Sequence, residues 1–563
     1  MSERIHPIQN PEPKKPNLLQ PILFAIVLVV GVYIGSNLGG ESMFVHRAEP
    51  TNNPNKLVNI IQKIDQMYVD SIEKGELIDD AIRSILENLD PHSYYISPEE
   101  MAALQEPLEG NFEGIGVEFM ILKDTLTVVT PIEGGPSEEA GILAGDRIVA
   151  VNGENIAGIG LTNDRVMKLL KGEKGTDVAL MIKRRRAAEP IEFNITRERI
   201  PIYSVVAALN LNDDLGYVKV TRFAKNTYDE FVEAVDELRS KGASKLILDL
   251  RGNGGGYLNT AIPMVEEFLD RNQLIVYTEG VHSPRKDYFN RRQGRYRDME
   301  LVVLINQGSA SASEIMAGAL QDHDRAITVG RRSFGKGLVQ DEIPLPDESA
   351  LRLTVARYYT PTGRSIQRPY GGDVDYSDDY NSRYENGELY SADSVKVVDS
   401  LKYLTPGGRM VYGGGGIMPD IFVPLDTAGA SFYLNELAYG GVFRSFAFDY
   451  LNQNKKQFDK YKNVDSFLSE FSVSEKMINE MVQFAQGEGI PKNEKSLNHS
   501  IYPIKIRLMA QLARNMWGED AYYRMILEDD NIFSEARRVI DNYNRYMVSN
   551  GVLTLPEEQA ISQ

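Results

Sequence analysis

The hydrophobic pattern divides the chain into stretches of different period. Positions 22–34 (ILFAIVLVVGVYI) are unbroken apolar sequence, and no charged residue occurs from 16 to 40. A helix over about 18–38 would span roughly 30 Å, the thickness of a bilayer core. In 55–109 the period changes. Leu57, Ile60, Ile61, Ile64 and Met67 recur at three- and four-residue spacing and predict an amphipathic helix. A second helix is expected over 77–89, stopped by Asp90-Pro91. From 110 to 200 short runs (GIGVEFMI, TLTVVTPI, DRIVAVNG, DVALMIKR, IEFNITRE) predict strands around one helix, 163–170. From 201 to about 426 strands at 216–223, 245–250, 301–305 and 326–329 alternate with helices at 228–240, 260–269 and 312–321, a βαβ order. Residues 370–400 are acidic and tyrosine-rich and read as an insertion or surface loop. After about 427 the period is helical to the end.

These stretches predict a multidomain α+β protein. Its expected parts are a cytoplasmic tail (1–16), a transmembrane signal anchor (17–39), a linker (40–54), an N-terminal helical region (55–109), a strand-rich domain (110–200), a mixed α/β, βαβ-rich core (201–426) and a C-terminal helical domain (427–563). Division into several domains also follows from length, since 563 residues exceed what one hydrophobic core organises. Arg4, Lys14 and Lys15 precede the apolar run, which favours a cytoplasmic N-terminus and export of everything after it. A cleaved signal peptide is the rival, but the small residues at 35–40 supply no clear A-x-A site.

Composition then removes function classes. A net charge of −19 argues against a nucleic-acid partner, which needs clustered Lys and Arg. The absence of cysteine excludes disulfides, thiolate metal sites, a cysteine nucleophile and a lipoprotein-type anchor. The 6 histidines form no ligand pair at useful spacing, so neither a metal nor a cofactor is expected.

Three segments carry candidate chemistry. In Ile305-Asn306-Gln307-Gly308-Ser309-Ala310-Ser311-Ala312-Ser313-Glu314 a buried strand turns tightly into a helix. Serines at a helix N-terminus are usually caps, yet the unpaired N–H groups there can also hold an oxyanion. In Ser333-Phe334-Gly335-Lys336-Gly337-Leu338-Val339-Gln340 a lysine between glycines can be desolvated toward a useful base. If this stretch is a strand, 336, 338 and 340 share a face, and Gln340 is placed to hold the amine. In Leu248-Asp249-Leu250-Arg251-Gly252-Asn253-Gly254-Gly255-Gly256 a strand ends in glycines whose N–H groups lie open to a carbonyl oxygen.

With these motifs in order, the stretch from about 55 to 424 resembles the C-terminal processing peptidases, the tail-specific serine proteases. LDPHS at 89–93, DLRGNGGG, GSASASE, SFGKG, ARYYTPTGRSIQ at 356–367 and GGGIMPDI at 414–421 carry the resemblance. Within it, 110–200 resembles a PDZ domain, with Gly114-Ile115-Gly116-Val117 at the carboxylate-binding position, followed by 137–142 and 145–148. The resemblance implies that Ser311 is the nucleophile and Lys336 the general base, at the family's separation of 25 positions. It implies that Gln340 orients the lysine and that Ala312 and a glycine of 254–256, represented by Gly255, form the oxyanion hole. Substrates would be proteins or peptides with free apolar C-termini, read by the PDZ groove. The expected place is the bacterial inner membrane, single-pass through 17–39, with the catalytic part periplasmic, and the helical ends suggest a homodimer. One departure is Lys171 before Gly172, where many members carry arginine; it keeps the charge but not the planar fork.

Three rival readings compete with this resemblance. A Ser-His-Asp triad needs a placed histidine, and His323 falls near the far end of the helix that Ser311 begins. A P-loop is mimicked by GRRSFGK at 330–336, but Gly337 replaces the required Ser or Thr. A non-catalytic PDZ scaffold is the remaining alternative.

Overall fold

The computed structural model describes residues 19–37, 55–132, 134–184, 187–371, 376, 378–395 and 397–556. The expected tail (1–16) and linker (40–54) lie outside the described residues. The chain forms two compact units, Met1–Ala81 and Ile82–Gln563. In the first, the helix Leu19–Asn37 has described side chains from Pro21 to Ile34, all exposed. Among the described residues, no helix is long and apolar enough to cross a membrane. The helix Asn55–Met67 buries none of its residues.

The second unit begins its sheets with a five-strand antiparallel order, Val117–Ile121, Leu126–Pro131, Arg147–Val151, Asp177–Lys183 and Ile191–Thr196. Val178, Leu180 and Ile182 alternate inward from exposed Asp177 and Lys183, the period-2 signature of a one-sided sheet. The helix Asn163–Leu170 closes this core with Val166 and Leu170, capped by Thr162. Val117–Ile121 is one of the two edge strands, and among the described residues no strand pairs with its outer rim.

The stretch 201–426 is built on a six-stranded sheet in the order Val205–Asn210, Leu215–Val220, Lys245–Asp249, Glu300–Ile305, Ile327–Gly330, Ile421–Phe422. Only its first pair is antiparallel; the rest are parallel, as the alternating pattern predicts. A second sheet joins Tyr94–Ile96, Ala350–Tyr359, Leu274–Glu279 and Lys286–Phe289, with Leu338–Pro344 also on Ala350–Tyr359.

Two stretches differ from the sequence reading. The 370–400 stretch is not simply a surface loop. Its helix Asp379–Glu385 buries Arg383, whose guanidinium donates to the carbonyls of Arg332, Ser333 and Phe334. The charge that suggested exposure is spent on pairing. Past 427, helices run to Asp541, but the last described residues form the hairpin Met547–Ser549/Val552–Thr554. Asn550 (φ 52°) and Gly551 (φ 83°) make the Asn-Gly turn, which needs positive φ at both positions.

The C-terminal helices have two attachments. Those of 432–517 enclose their own core around Phe467, Met481 and Ile504. The following ones lay Ile532, Phe533, Val539 and Ile540 on Tyr217, Ile247, Val302 and Leu304 of the six-stranded sheet.

Candidate active site

Two loops leave the carboxyl ends of adjacent parallel strands, Lys245–Asp249 and Glu300–Ile305, where open α/β sheets build their sites. Asn306 Oδ1 accepts the N–H groups of Gly252 (2.9 Å) and Gly308 (3.0 Å), and Ala310 N–H donates to Asn253 O at 2.9 Å. The serines of the motif then separate by environment. Ser309 Oγ donates to Leu250 O at 2.8 Å and Ser313 Oγ to Asn253 O at 2.9 Å, both residues fully buried. Ser311 is half-buried, and among the described residues its hydroxyl donates no hydrogen bond. It caps the helix Ala312–Asp322 with φ 55° and ψ −114°, a strained conformation for a residue with a side chain.

Lys336 meets this loop through shared partners. Glu314 Oε2 accepts both Ser311 N–H (2.9 Å) and Lys336 N–H (2.9 Å). Its Oε1 takes Gly335 N–H at 2.7 Å and the Ser333 hydroxyl. On the other side, Tyr358 Oη donates toward Ser311 O (3.2 Å) and Lys336 O. Both neighbouring glycines are forced by crowding. A Cβ at Gly335 would lie 3.1 Å from Arg368 Cβ, at φ 90°, and one at Gly337 2.8 Å from Gln367 N. The Lys336 amine forms no ion pair among the described residues.

Charge is tuned around it. Burial lowers the Lys336 pKa, and Arg352 adds to this against the opposing pull of Glu314 and Asp90. Burial raises Glu314 to about 7, opposed by its hydrogen bonds. Every one of those bonds comes from a donor, which favours its anion.

Gln340 lies in the strand Leu338–Pro344, opposite Thr354, while Lys336 precedes that strand. Its Nε2 donates to Thr354 Oγ1 at 3.3 Å, and Thr354 Oγ1 donates to Asp90 Oδ1 at 3.0 Å. Asp90 also accepts Ser93 Oγ (2.6 Å) and His92 N–H (2.8 Å). The 89–93 motif thus stands beside the lysine, a placement sequence reasoning did not assign. His92 is held down to about 4, chiefly by burial and then by Lys336, and its Nε2 meets Tyr376 Oη at 2.9 Å. His323 instead bonds Leu274 O at 2.6 Å.

Of the candidate oxyanion donors, Ala312 N–H is the first of its helix, where N–H groups have no intrahelical partner. Gly255 N–H is engaged, donating to Asn253 Oδ1 at 2.9 Å. Its α-carbon lies against the nucleophile loop: a Cβ there would be 2.8 Å from Ser311 Cβ.

In the strand-rich domain Gly114 ends the strand Asn111–Gly114, Ile115 is buried, and Gly116 turns at φ 70° into Val117. The carbonyls of Ile115 and Gly116 accept Ser137 N–H (3.1 Å) and Ile132 N–H (2.9 Å). Lys171 pairs with Glu106 and sits over Phe112, 5.2 Å from its ring centre. No group of His, Asp and Glu suited to a metal occurs among the described residues.

This architecture is that of a PDZ-bearing serine peptidase. The profile of "Peptidase family S41" matches residues 214–377, "PDZ domain" matches 127–184, and "Family of unknown function (DUF8443)" matches 433–518. The chain is 37% identical over 350 residues to the carboxy-terminal-processing protease of Bartonella bacilliformis, covering 61% of this chain and 80% of the relative. It is 34% identical to the carboxy-terminal processing protease CtpA of Bacillus subtilis, covering 62% and 75%. Among solved structures, the photosystem II D1 C-terminal processing protease is 32% identical over 55% of this chain and 89% of its own, with a TM-score of 0.32. The chain belongs to the C-terminal processing peptidases of family S41 and is a serine-type peptidase carrying a PDZ domain.

Proposed function

We propose that Ser311 is the nucleophile and Lys336 its general base. The observation that carries this is the contrast among the serines: Ser309 and Ser313 spend their hydroxyls on carbonyls, and Ser311 does not. Neutral Lys336 takes the Ser311 proton as Oγ attacks the scissile carbonyl. The oxyanion is received by Ala312 N–H and by unengaged main-chain N–H groups of 254–256. The proton passes to the leaving amine as the C–N bond breaks. Water, giving a proton to Lys336, then hydrolyses the acyl-enzyme and restores Ser311. Gln340 acts through Thr354 and Asp90, and Gly255 by letting the loops meet. A free apolar C-terminus enters at Gly114, Ile115, Gly116 and Val117 and pairs with the open edge of Val117–Ile121. Cleavage of an unstructured protein with an apolar tail tests this; if Ser311→Ala or Lys336→Ala, correctly folded, keeps wild-type turnover, the dyad is wrong.

The uncharged, apolar sequence of 16–40 with its preceding basic residues supports a single-pass anchor of the bacterial inner membrane and a periplasmic catalytic part. Carbonate-resistant sedimentation with membranes, lost on deleting 1–54, is the expected result. The unburied apolar face of Asn55–Met67 supports pairing with a second copy, read by light scattering of protein with and without 55–67.

A further inference from the structure

Along Val117–Ile121, Val117, Phe119 and Ile121 face the PDZ core and its helix, while Glu118 and Met120 face the other way. That second face is partly covered. Arg444 and Arg514 both reach Glu118 Oε1, Arg514 at 3.2 Å. Phe448 closes with Met120 and Val129 into a small apolar cluster in which each is less than a tenth exposed. Asn452 is the neighbour of Gly145, 3.7 Å from where a Cβ would stand.

Arg444, Phe448, Asn452 and Arg514 all belong to the helical segment 433–518. The chain continuing from it is fixed firmly to the peptidase core. Asp520 Oδ1 accepts Ala208 N–H at 3.1 Å, and Asp530 Oδ2 binds Arg251 at 2.6 Å, beside the Asp249–Arg251 pair that roots the 252–256 loop. Phe533 stacks edge-on against Tyr217 at 5.7 Å. One helical body therefore grips the core broadly and touches the PDZ domain at a few places: Glu118 and Met120 of the strand that a substrate tail would extend, Val129 of the neighbouring strand, and Gly145.

We propose that segment 433–518 is a bracket for the PDZ domain, setting the position of the tail-binding groove relative to Ser311. Arg444, Arg514 and Phe448 are positioning residues acting through Glu118, Met120 and Val129. The inference rests on the reading of the groove as a tail reader. Its chemistry is specific: an acid on the strand met by two arginines, in a chain whose net charge is −19.

The test uses the full chain and two unstructured substrates, one ending in a free apolar tail and the other in the same tail extended by two aspartates. Arg444→Glu/Arg514→Glu and, separately, Phe448→Ala should raise KM for the apolar-tailed substrate on the order of tenfold. Cleavage of the acid-tailed substrate and labelling of Ser311 by a fluorophosphonate should not change. Adding Glu118→Arg to the double variant should restore KM. An unchanged KM, a loss shared by both substrates and the labelling rate, or no rescue by Glu118→Arg overturns the bracket. If wild type fails to distinguish the tails, the tail-reading role itself falls and takes the bracket with it. Discrimination retained in every variant sinks the bracket alone.

Discussion

The main-chain N–H groups of Ser311 and Lys336 end on the same oxygen, Glu314 Oε2, each at 2.9 Å. Their carbonyls converge on one hydroxyl, Tyr358 Oη. Two residues 25 positions apart are thus held in register from both sides, so their relative placement depends on Glu314 and Tyr358 more than on either loop alone.

Replacing Glu314 by Gln keeps the volume but substitutes a carboxamide for a carboxylate that receives only donors. The expected result is a fall of about 100-fold in kcat, the scale of a misplaced reacting group. Glu314 also raises the Lys336 pKa, so its neutralisation moves the acid limb of the pH–rate profile to lower pH. A variant with lower kcat but an unmoved limb would leave Glu314 a purely structural role.

Arg352 acts on the same lysine with the opposite sign. Its charge lowers the Lys336 pKa, and the base must be neutral to work. Arg352→Gln should therefore move the acid limb to higher pH while the alkaline plateau stays near wild type. Pre-steady-state acylation measured against pH checks it. A shift in the same direction as Glu314→Gln would refute the electrostatic reading.

The serine contrast gives a stability prediction separate from rate. Ser309→Ala and Ser313→Ala each remove a buried hydroxyl bond, the first also leaving Asn306 N–H without its acceptor, and each should cost about 1–3 kcal/mol. Ser311→Ala breaks no such bond, relieves none of the positive φ, and should leave the melting temperature near wild type. Calorimetry on the three variants reads this directly.

Much of this was legible in sequence because it rests on local pattern. The Asn163–Leu170 helix and the strands around it follow from period and turn signals, and the alternation over 201–426 gives the mainly parallel sheet. What escaped depends on long-range pairing. Asp90 and Thr354 are 264 positions apart, and nothing local in LDPHS announces that its carboxylate ends beside Lys336. Gln340 looked like a same-face partner only if the strand began early. It begins at Leu338, with an irregular register after Val339. Charge in 370–400 suggested solvent, yet Arg383 is buried because carbonyls and Asp379 satisfy it.

The glycine run offers the sharpest contrast between neighbours. Gly255 has φ 101°, and a Cβ there would lie 2.8 Å from both Ala310 O and Ser311 Cβ, so neither loop can give without moving the nucleophile. Gly254 has open space around the same atom and no positive φ. Gly255→Ala should destabilise the protein by about 1–3 kcal/mol through overpacking and reduce fluorophosphonate labelling of Ser311 by more than tenfold. Gly254→Ala keeps its N–H and should retain both the melting temperature and the labelling rate within a few-fold. Thermal denaturation and labelling kinetics on the two variants decide the matter. Equal effects at 254 and 255 would mean that the close approach of the two loops does not set the geometry of Ser311.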